Sequence, residues 1–481
     1  MPKSLNAKVR TATKWSTLGE VVAKLVAPVS SMILARLLTP EAFGVVAAVS
    51  MIISIAETVT DAGFHKYLVQ HEFEDAQDRD ESTNVAFWSN FVMSMVIWGI
   101  IAIFSSPLAA LVGNPGLGNV LIVACVSIPL AAFSSIQMGL FKRDLDFKTL
   151  ALVRIVSTVI PLVVTVPLAL WLRSYWALII GTTFVKLVNA ILLTVLSKWK
   201  PRWFYSFAKL KEMLPFTVWS MIEDICIWLT SFMDIFIVGT VLSQYYLGLY
   251  KTSTALVGHA MALITLITIP ILYSALSRLQ NDEKEFQRLF FLFQKLLGMF
   301  VLPLGVGIFI FRDLVTAAIL GNQWSEAAGF VGLWGLTSAI TIVLSIYSRE
   351  VYRAKGRPKL SVLAQVLYIV AVWPTVLIAV KYGFEVLYTA RSLVSIVFVA
   401  VNLCIMGCVI KMPVGKMFTN ILPSCIAAAA MLLILLLPTA GNVWVTILYA
   451  VVAAIIYLAV VMLFSKERVL LLNLPKYIKN R

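Results

Sequence analysis

Residues 15–70 read WSTLGEVVAKLVAPVSSMILARLLTPEAFGVVAAVSMIISIAETVTDAGFHKYLVQ. Two long apolar segments are joined by the short turn Leu38-Thr39-Pro40-Glu41. Each segment has the roughly 20 residues that a helix needs to cross a bilayer. Glu20 and Lys24 lie inside the first segment, Glu57 and Asp61 inside the second. Charges at that depth are costly and normally face a water-filled interior or a partner, so they point to function.

The stretch recurs. A shift of 204 places Trp15-Ser16 on Trp219-Ser220, Glu20 on Asp224, Leu38-Thr39 on Leu242-Ser243 and Gly44 on Gly248, with no insertion needed. The chain therefore reads as two related halves, each opening with the same helix pair. Many transporters are built this way, with substrate between the halves.

Composition agrees. The chain has 481 residues, 60% hydrophobic and only 13% charged, with a mean hydropathy of +0.92. A soluble protein of this length could not hide that much apolar surface. The expected fold is all-α and polytopic, with fourteen spans at about 12–38, 42–64, 84–112, 118–140, 149–171, 176–197, 214–240, 245–277, 287–311, 325–347, 360–380, 385–410, 419–438 and 443–464. Two six-helix lobes, 1–205 and 206–412, are followed by an appended pair without counterpart in the repeat and a basic tail, 413–481. Residues 65–81 read as a mostly acidic loop, and 198–211 as a basic, aromatic linker along the inner headgroups. The first apolar run is too long for a cleavable signal peptide and is followed at once by another. The five cysteines lie in apolar segments without metal or disulfide spacing and read as small core residues.

The net charge of +15 could point to nucleic acid, but its placement argues otherwise. With the N-terminus in the cytoplasm, only Arg173, Arg312 and Lys381 of the 39 Lys and Arg fall in outer loops. Seven lie in spans, and the rest lie at cytoplasmic ends and loops. That asymmetry is the positive-inside rule and places both termini in the cytoplasm.

The seven intramembrane bases differ in depth. Arg36, at the outer end of its helix, snorkels or caps the turn with Glu41. Lys251 and Arg391 on the outer side, and Arg154 and Lys295 toward the inner end, either snorkel or line a cavity. Lys24 and Lys186 lie near mid-membrane, where snorkelling is hardest, and are expected in a cavity. Six acids accompany them: Glu20, Glu57, Asp61, Glu223, Asp224 and Asp234. Glu20 and Lys24 share a helix face and can pair. Asp224 repeats Glu20, but the repeat position of Lys24 is Trp228, so Asp224 needs a base from across the cavity. Glu57 and Asp61 also share a face and repel in a low dielectric, which suits a proton or sodium site. Otherwise Asp61 is wetted at its helix end and held by His65 or Lys66. Asp234, which shares a face with Glu223, either lines the cavity or pairs with a neighbouring helix. There is no metal cluster, phosphate-binding Gly loop or nucleophile constellation, and no cofactor is expected.

The stretches ARLLTPEAFG, Ala35 to Gly44, and DAGFHKYLVQ, Asp61 to Gln70, resemble the start of the polysaccharide exporter family. That family includes the O-antigen, exopolysaccharide and colanic-acid flippases of the multidrug/oligosaccharidyl-lipid/polysaccharide exporter superfamily. The resemblance implies a bacterial inner-membrane flippase, not an enzyme. Its substrate would be an undecaprenyl-pyrophosphate-linked oligosaccharide, moved from the cytoplasmic to the periplasmic leaflet by alternating access and coupled to a proton or sodium gradient. Membrane lipids and the polysaccharide polymerase and chain-length machinery would be its partners. The cavity lining that the family implies would come from Lys24, Arg154, Lys186, Lys251, Lys295 and Arg391, and the ion coupling from Glu20, Glu57, Asp61 and Asp224. A diphosphate fits such bases on physical grounds, because cations away from water hold anionic oxygens strongly.

Two other readings compete. A cation-coupled drug or metabolite antiporter of the same superfamily would have a cavity dominated by acids. A membrane glycosyltransferase or polymerase would need a large outer loop, and none here exceeds about 15 residues.

Overall fold

Thr39 and Pro40 set the first turn. Pro40 opens a helix at the position where its missing N–H costs nothing, and Thr39 precedes it in extended backbone, φ −81° and ψ 160°. The computed structural model describes residues 3–464 except 358 and 439–441, together with 467–468; side chains are described from residue 14 onward, apart from 223, 230, 266, 267, 270 and 274. The described residues form helices and connecting turns, with no strand among them. This is what long apolar runs require where water cannot satisfy the backbone.

Packing divides the chain into two compact units, Met1–Lys251 and Thr252–Arg481. The first holds α1 (Lys3–Leu37), α2 (Pro40–Asp61), α3 (Phe64–Gln70), α4 (Ala76–Ile103), α5 (Ser105–Leu111), α6 (Gly118–Ala124), α7 (Ser127–Arg143), α8 (Phe147–Ile160), α9 (Val166–Leu172), α10 (Tyr175–Leu196) and α11 (Phe207–Val241). α12 (Gln244–Arg278) begins there and continues into the second unit. There follow α13 (Glu283–Ile310), α14 (Arg312–Ile319), α15 (Ala328–Thr341), α16 (Tyr347–Ala354), α17 (Lys359–Ala379), α18 (Phe384–Cys408), α19 (Val414–Ala430) and α20 (Val443–Leu463). Short π turns join α8 to α9 at Pro161–Thr165 and α15 to α16 at Ile342–Ile346.

Among the described residues twelve helical segments are long and apolar enough to cross a membrane, or thirteen if Phe207–Leu229 and Ser231–Val241, bent by 51°, make one span. The span expected at 245–277, α12, is 35 residues long but is not among them on the described residues. Elements also differ locally from expectation. The acidic loop shrinks to a few residues. Ala62 and Gly63, at φ 41° and 77°, turn the chain back into α3, while Asp75 accepts from the Asp78 N–H and starts α4. The span expected at 84–112 breaks at Phe104, φ −97° and ψ 21°, where α5 begins. Of the five cysteines only Cys125 is buried; Cys226, Cys404 and Cys408 are exposed.

In the first unit α2 is central, packing on α4, α7, α10 and α11, and α1 lies along α8. α11 opens the second repeat but packs on α2, so compactness there follows contacts, while the expected lobe boundaries follow the repeat. In the second unit α13 packs on α15 and α19, and α18 on α15 and α17. The appended pair is pinned to α13: Tyr457 donates to the Met299 carbonyl at 2.6 Å, and Asn420 to that of Phe291 at 2.8 Å.

The repeat appears as a reciprocal contact. A Cβ on Gly44 would lie 1.8 Å from the Gln244 carbonyl oxygen, and one on Gly248 would lie 1.8 Å from that of Pro40. Pro40 and Gln244, like Gly44 and Gly248, are 204 apart. The first turns of α2 and α12 thus cross backbone to backbone about a local two-fold axis. The obstructing atoms are main chain and cannot yield cheaply. Gly248→Ala is therefore expected to cost about 1–3 kcal/mol. Gly258→Ala, farther along α12 with nothing within 4 Å, should be neutral or slightly stabilising. Equal melting of the two variants in detergent would count against the contact.

Candidate functional site

Helical spacing on α2 builds the first site. Ser54, Glu57, Thr58 and Asp61 recur every three or four residues and so occupy one face. They line a cavity of about 490 Å³ in the first unit, together with Lys186 and Asn189 of α10, Asn90 of α4, Ser134 and Ser135 of α7, and Asp224, Trp228 and Ser231 of α11. Each of its three carboxylates has a base. Glu57 meets Lys186 Nζ at 2.8 Å, Asp224 meets Lys66 Nζ at 2.8 Å, and Asp61 meets His65 Nδ1 at 2.5 Å. The Trp228 indole donates to Ser54 Oγ at 2.7 Å, closing one wall.

These pairs resolve the open readings. Glu57 and Asp61, on one face of α2, each meet a different side chain, Lys186 and His65. Asp224 finds the base it needed, and that base is Lys66 of α3. Asp61 is held by His65. The side chains of the Glu57–Lys186 and Asp224–Lys66 pairs are about a quarter to a third exposed, so they are partly desolvated. Removing one member strands its partner.

Glu20 does not pair with Lys24. Arg154 Nη2 of α8 reaches its carboxylate at 2.6 Å. The reason lies one turn away, where Gly19 lets α1 approach Ala151, whose Cβ would be 3.1 Å from an added Cβ. That contact brings Arg154 alongside Glu20. Lys24 is half-buried and lines neither this cavity nor the one in the second unit. Lys251 lies 5.6 Å from the ring centroid of Phe232, a residue of the first cavity wall. Asp234 accepts from the Tyr250 hydroxyl of α12 at 2.7 Å. The side chain of Glu223 lies outside the described residues. Lys295 meets Glu467 at 2.6 Å, and the two are only 15% and 3% exposed; this ties α13 to the segment after α20 and uses the Lys295 charge there.

The second unit holds a cavity of about 450 Å³ between α12, α15, α16, α17 and α18. Arg391 donates to the Tyr368 hydroxyl at 2.9 Å and lies 4.9 Å from the Trp334 ring centroid. Arg349 also faces this space, with Gln365, Thr254, Thr341 and Ser395. Among the described residues no carboxylate lines it. Neighbouring Glu350 is buried and sits 3.6 Å from Arg353. Arg349 lies beyond the span expected at 325–347. The helix instead resumes after the π turn at Ile342–Ile346, a feature common at functional sites. Past that turn Tyr347, Val351 and Tyr352 are buried, as a continuing packed helix requires.

A model of the family described as polysaccharide biosynthesis protein matches residues 33–329. The chain is 23% identical over 348 residues to the succinoglycan biosynthesis transport protein ExoT of Rhizobium meliloti, covering 72% of this chain and 70% of that one. It is 20% identical over 330 residues to the lipopolysaccharide biosynthesis protein WzxC of Escherichia coli, covering 67% and 65%. Among solved structures it resembles the lipid II flippase MurJ in an inward closed conformation, with a TM-score of 0.77, 14% identity, and 94% and 99% of the two chains covered. It also resembles an inward-facing multidrug resistance MATE transporter, with a TM-score of 0.59, 13% identity, and 80% and 96% covered. The structural likenesses are likenesses of fold.

Proposed function

Given that the chain belongs to the polysaccharide biosynthesis protein family, and is a membrane transporter of the exporter superfamily and not an enzyme, we propose that it flips undecaprenyl-pyrophosphate-linked oligosaccharides from the cytoplasmic to the periplasmic leaflet by alternating access. The observation that carries this reading is the cavity of the second unit, where Arg349 and Arg391 both line the wall and, among the described residues, no carboxylate does. Two guanidinium forks in a partly dry space suit a diphosphate. Lys186 of the first cavity, with Lys24 and Lys251 on the adjoining helices, serves the same anionic head during its passage. Arg154 and Lys295 act through the pairs they form. Glu57, Asp61 and Asp224, with Glu20 nearby, couple the cycle to a proton or sodium gradient through pairs that can exchange partners. The lobes 1–205 and 206–412 alternate, the segment 413–481 is appended, both termini lie in the cytoplasm, and polymerase and chain-length machinery take the product.

An antiporter of organic cations is the rival. Against it, Glu57 and Asp224 of the first cavity each meet a lysine at 2.8 Å, which offsets two of its three carboxylates. Deleting the gene is expected to leave repeat units facing the cytoplasm and to abolish surface polymer. Normal polymer in a strain without a second exporter would overturn the reading, and a drug-hypersensitive deletion with normal polymer would favour the antiporter.

A further inference from the structure

The helices that wall the first polar cavity turn other faces toward an apolar one. α4, the segment 197–206 and the start of α11 flank an open apolar groove of about 930 Å³, more than either polar cavity, with Trp203 and Phe207 of its wall 91% and 79% exposed. Trp88, Val92, Trp203, Phe207, Leu214 and Val218 form much of its wall. The α11 residues recur at helical spacing and so form one apolar face. The wall is built, not frayed. Trp88 and Trp203 stack with ring centroids 4.3 Å apart. The Trp88 indole donates to the Arg202 carbonyl at 2.7 Å, and the Arg202 N–H donates to Asn84 Oδ1 at 2.7 Å. The Ser89 and Tyr205 hydroxyls lie 3.0 Å apart. These polar groups satisfy one another, and hydrocarbon faces the space. An exposed apolar groove of this kind is covered by apolar partners in preference to water.

A lipid chain is the available filler, and the neighbourhood selects which. Lys198, Lys200, Arg202, Lys209 and Lys211 lie along the same segment and the start of α11; Lys209 is paired with Asp78 and Arg202 lies 3.7 Å from Asp80, and the remaining bases suit a lipid phosphate. A bulk phospholipid would need only that rim. Ala62 and Met221, however, line the apolar cavity, while Asp61 and Asp224, the adjacent residue and one turn on, line the polar one. A polar and an apolar compartment thus adjoin across the end of α2 and the middle of α11. That pairing matches an amphiphile whose long chain and bulky polar head must both be housed.

We infer that this apolar cavity is the docking site for the polyprenyl chain of the transported lipid, held while its head enters the first polar cavity. The inference rests on the flippase reading for the identity of the chain. It is tested on the full-length protein in nanodiscs with an undecaprenyl phosphate that carries a photoreactive diazirine in its chain. The expected result is labelling of Trp88, Val92 or the segment from Trp203 to Val218, competed by unlabelled undecaprenyl phosphate but not by an equal excess of phosphatidylglycerol. Val218→Trp, which fills the cavity from α11, should lower labelling by at least about tenfold. Val92→Trp, which fills it from α4, should do the same if the first variant folds poorly. Labelling spread over all bilayer-facing helices, equal competition by phosphatidylglycerol, or labelling unchanged in both folded variants would overturn the site. Labelling lost in a variant that still transports repeat units at the normal rate sinks the tail site and leaves the flippase reading intact. Specific labelling in a protein that moves drugs but no lipid-linked sugar sinks the flippase reading instead.

Discussion

Glu57→Gln is expected to lower gradient-driven transport by at least about tenfold and to destabilise the protein. Glu57 and Lys186 meet at 2.8 Å with side chains 28% and 36% exposed. They line a cavity whose other walls include Ala131, Ala132, Ile227 and Phe232. Neutralising the acid leaves an ammonium at mid-helix with its counter-charge gone. A fully buried pair broken in this way loses 3–5 kcal/mol; the remaining solvent access here reduces that to about 1–3 kcal/mol. The double variant Glu57→Gln/Lys186→Met separates structure from coupling. Replacing both members of a pair by neutral side chains of similar size is often neutral or stabilising, so its melting temperature should return toward the parent value. Its dependence on an imposed proton or sodium gradient in liposomes should not return. A double variant that regained both stability and gradient-driven transport would make the pair a structural tie and remove Glu57 from coupling.

Why this pair was half legible follows from what a sequence displays. Depth marks Glu57 and Lys186 as charges needing an explanation, because the apolar length around each is visible. Their partnership, 129 positions apart, is not, since it depends on α10 packing against α2. Glu20 shows the reverse failure. The four-residue spacing to Lys24 is visible, but the contact of Gly19 with Ala151 that delivers Arg154 is tertiary. Asp224 lies between these cases. The repeat shows that its in-helix base is missing and so requires a partner elsewhere, yet Lys66 sits in residues that read as loop. The turn of Thr39 and Pro40 and the glycines 204 apart were legible because proline and glycine constrain backbone directly. Arg349 was hidden by a π turn, which leaves no compositional trace in an apolar run.

Arg391→Ala is expected to weaken binding of undecaprenyl diphosphate by about ten- to hundredfold, because a hydrogen bond to a charged group contributes about 1.5–3 kcal/mol and each 1.4 kcal/mol is tenfold. The guanidinium is preorganised, stacked 4.9 Å from the Trp334 centroid and donating to Tyr368 at 2.9 Å. Little side-chain freedom remains to be lost when a ligand arrives. Arg391→Lys keeps the charge but loses the planar fork and the stacking, so its affinity should fall between those of Ala and the parent. Undecaprenyl monophosphate, with fewer anionic oxygens, should lose less in each variant. Arg349→Ala should weaken the diphosphate comparably. If both arginines hold one ligand, the double variant should depart from additivity, as groups sharing a partner do. Titration in nanodiscs at two salt concentrations reads all of these. Parent-like affinity in a folded Arg391→Ala variant would make this arginine a packing pillar between α15, α17 and α18, and the diphosphate would then have to be held by the lysines of the first unit.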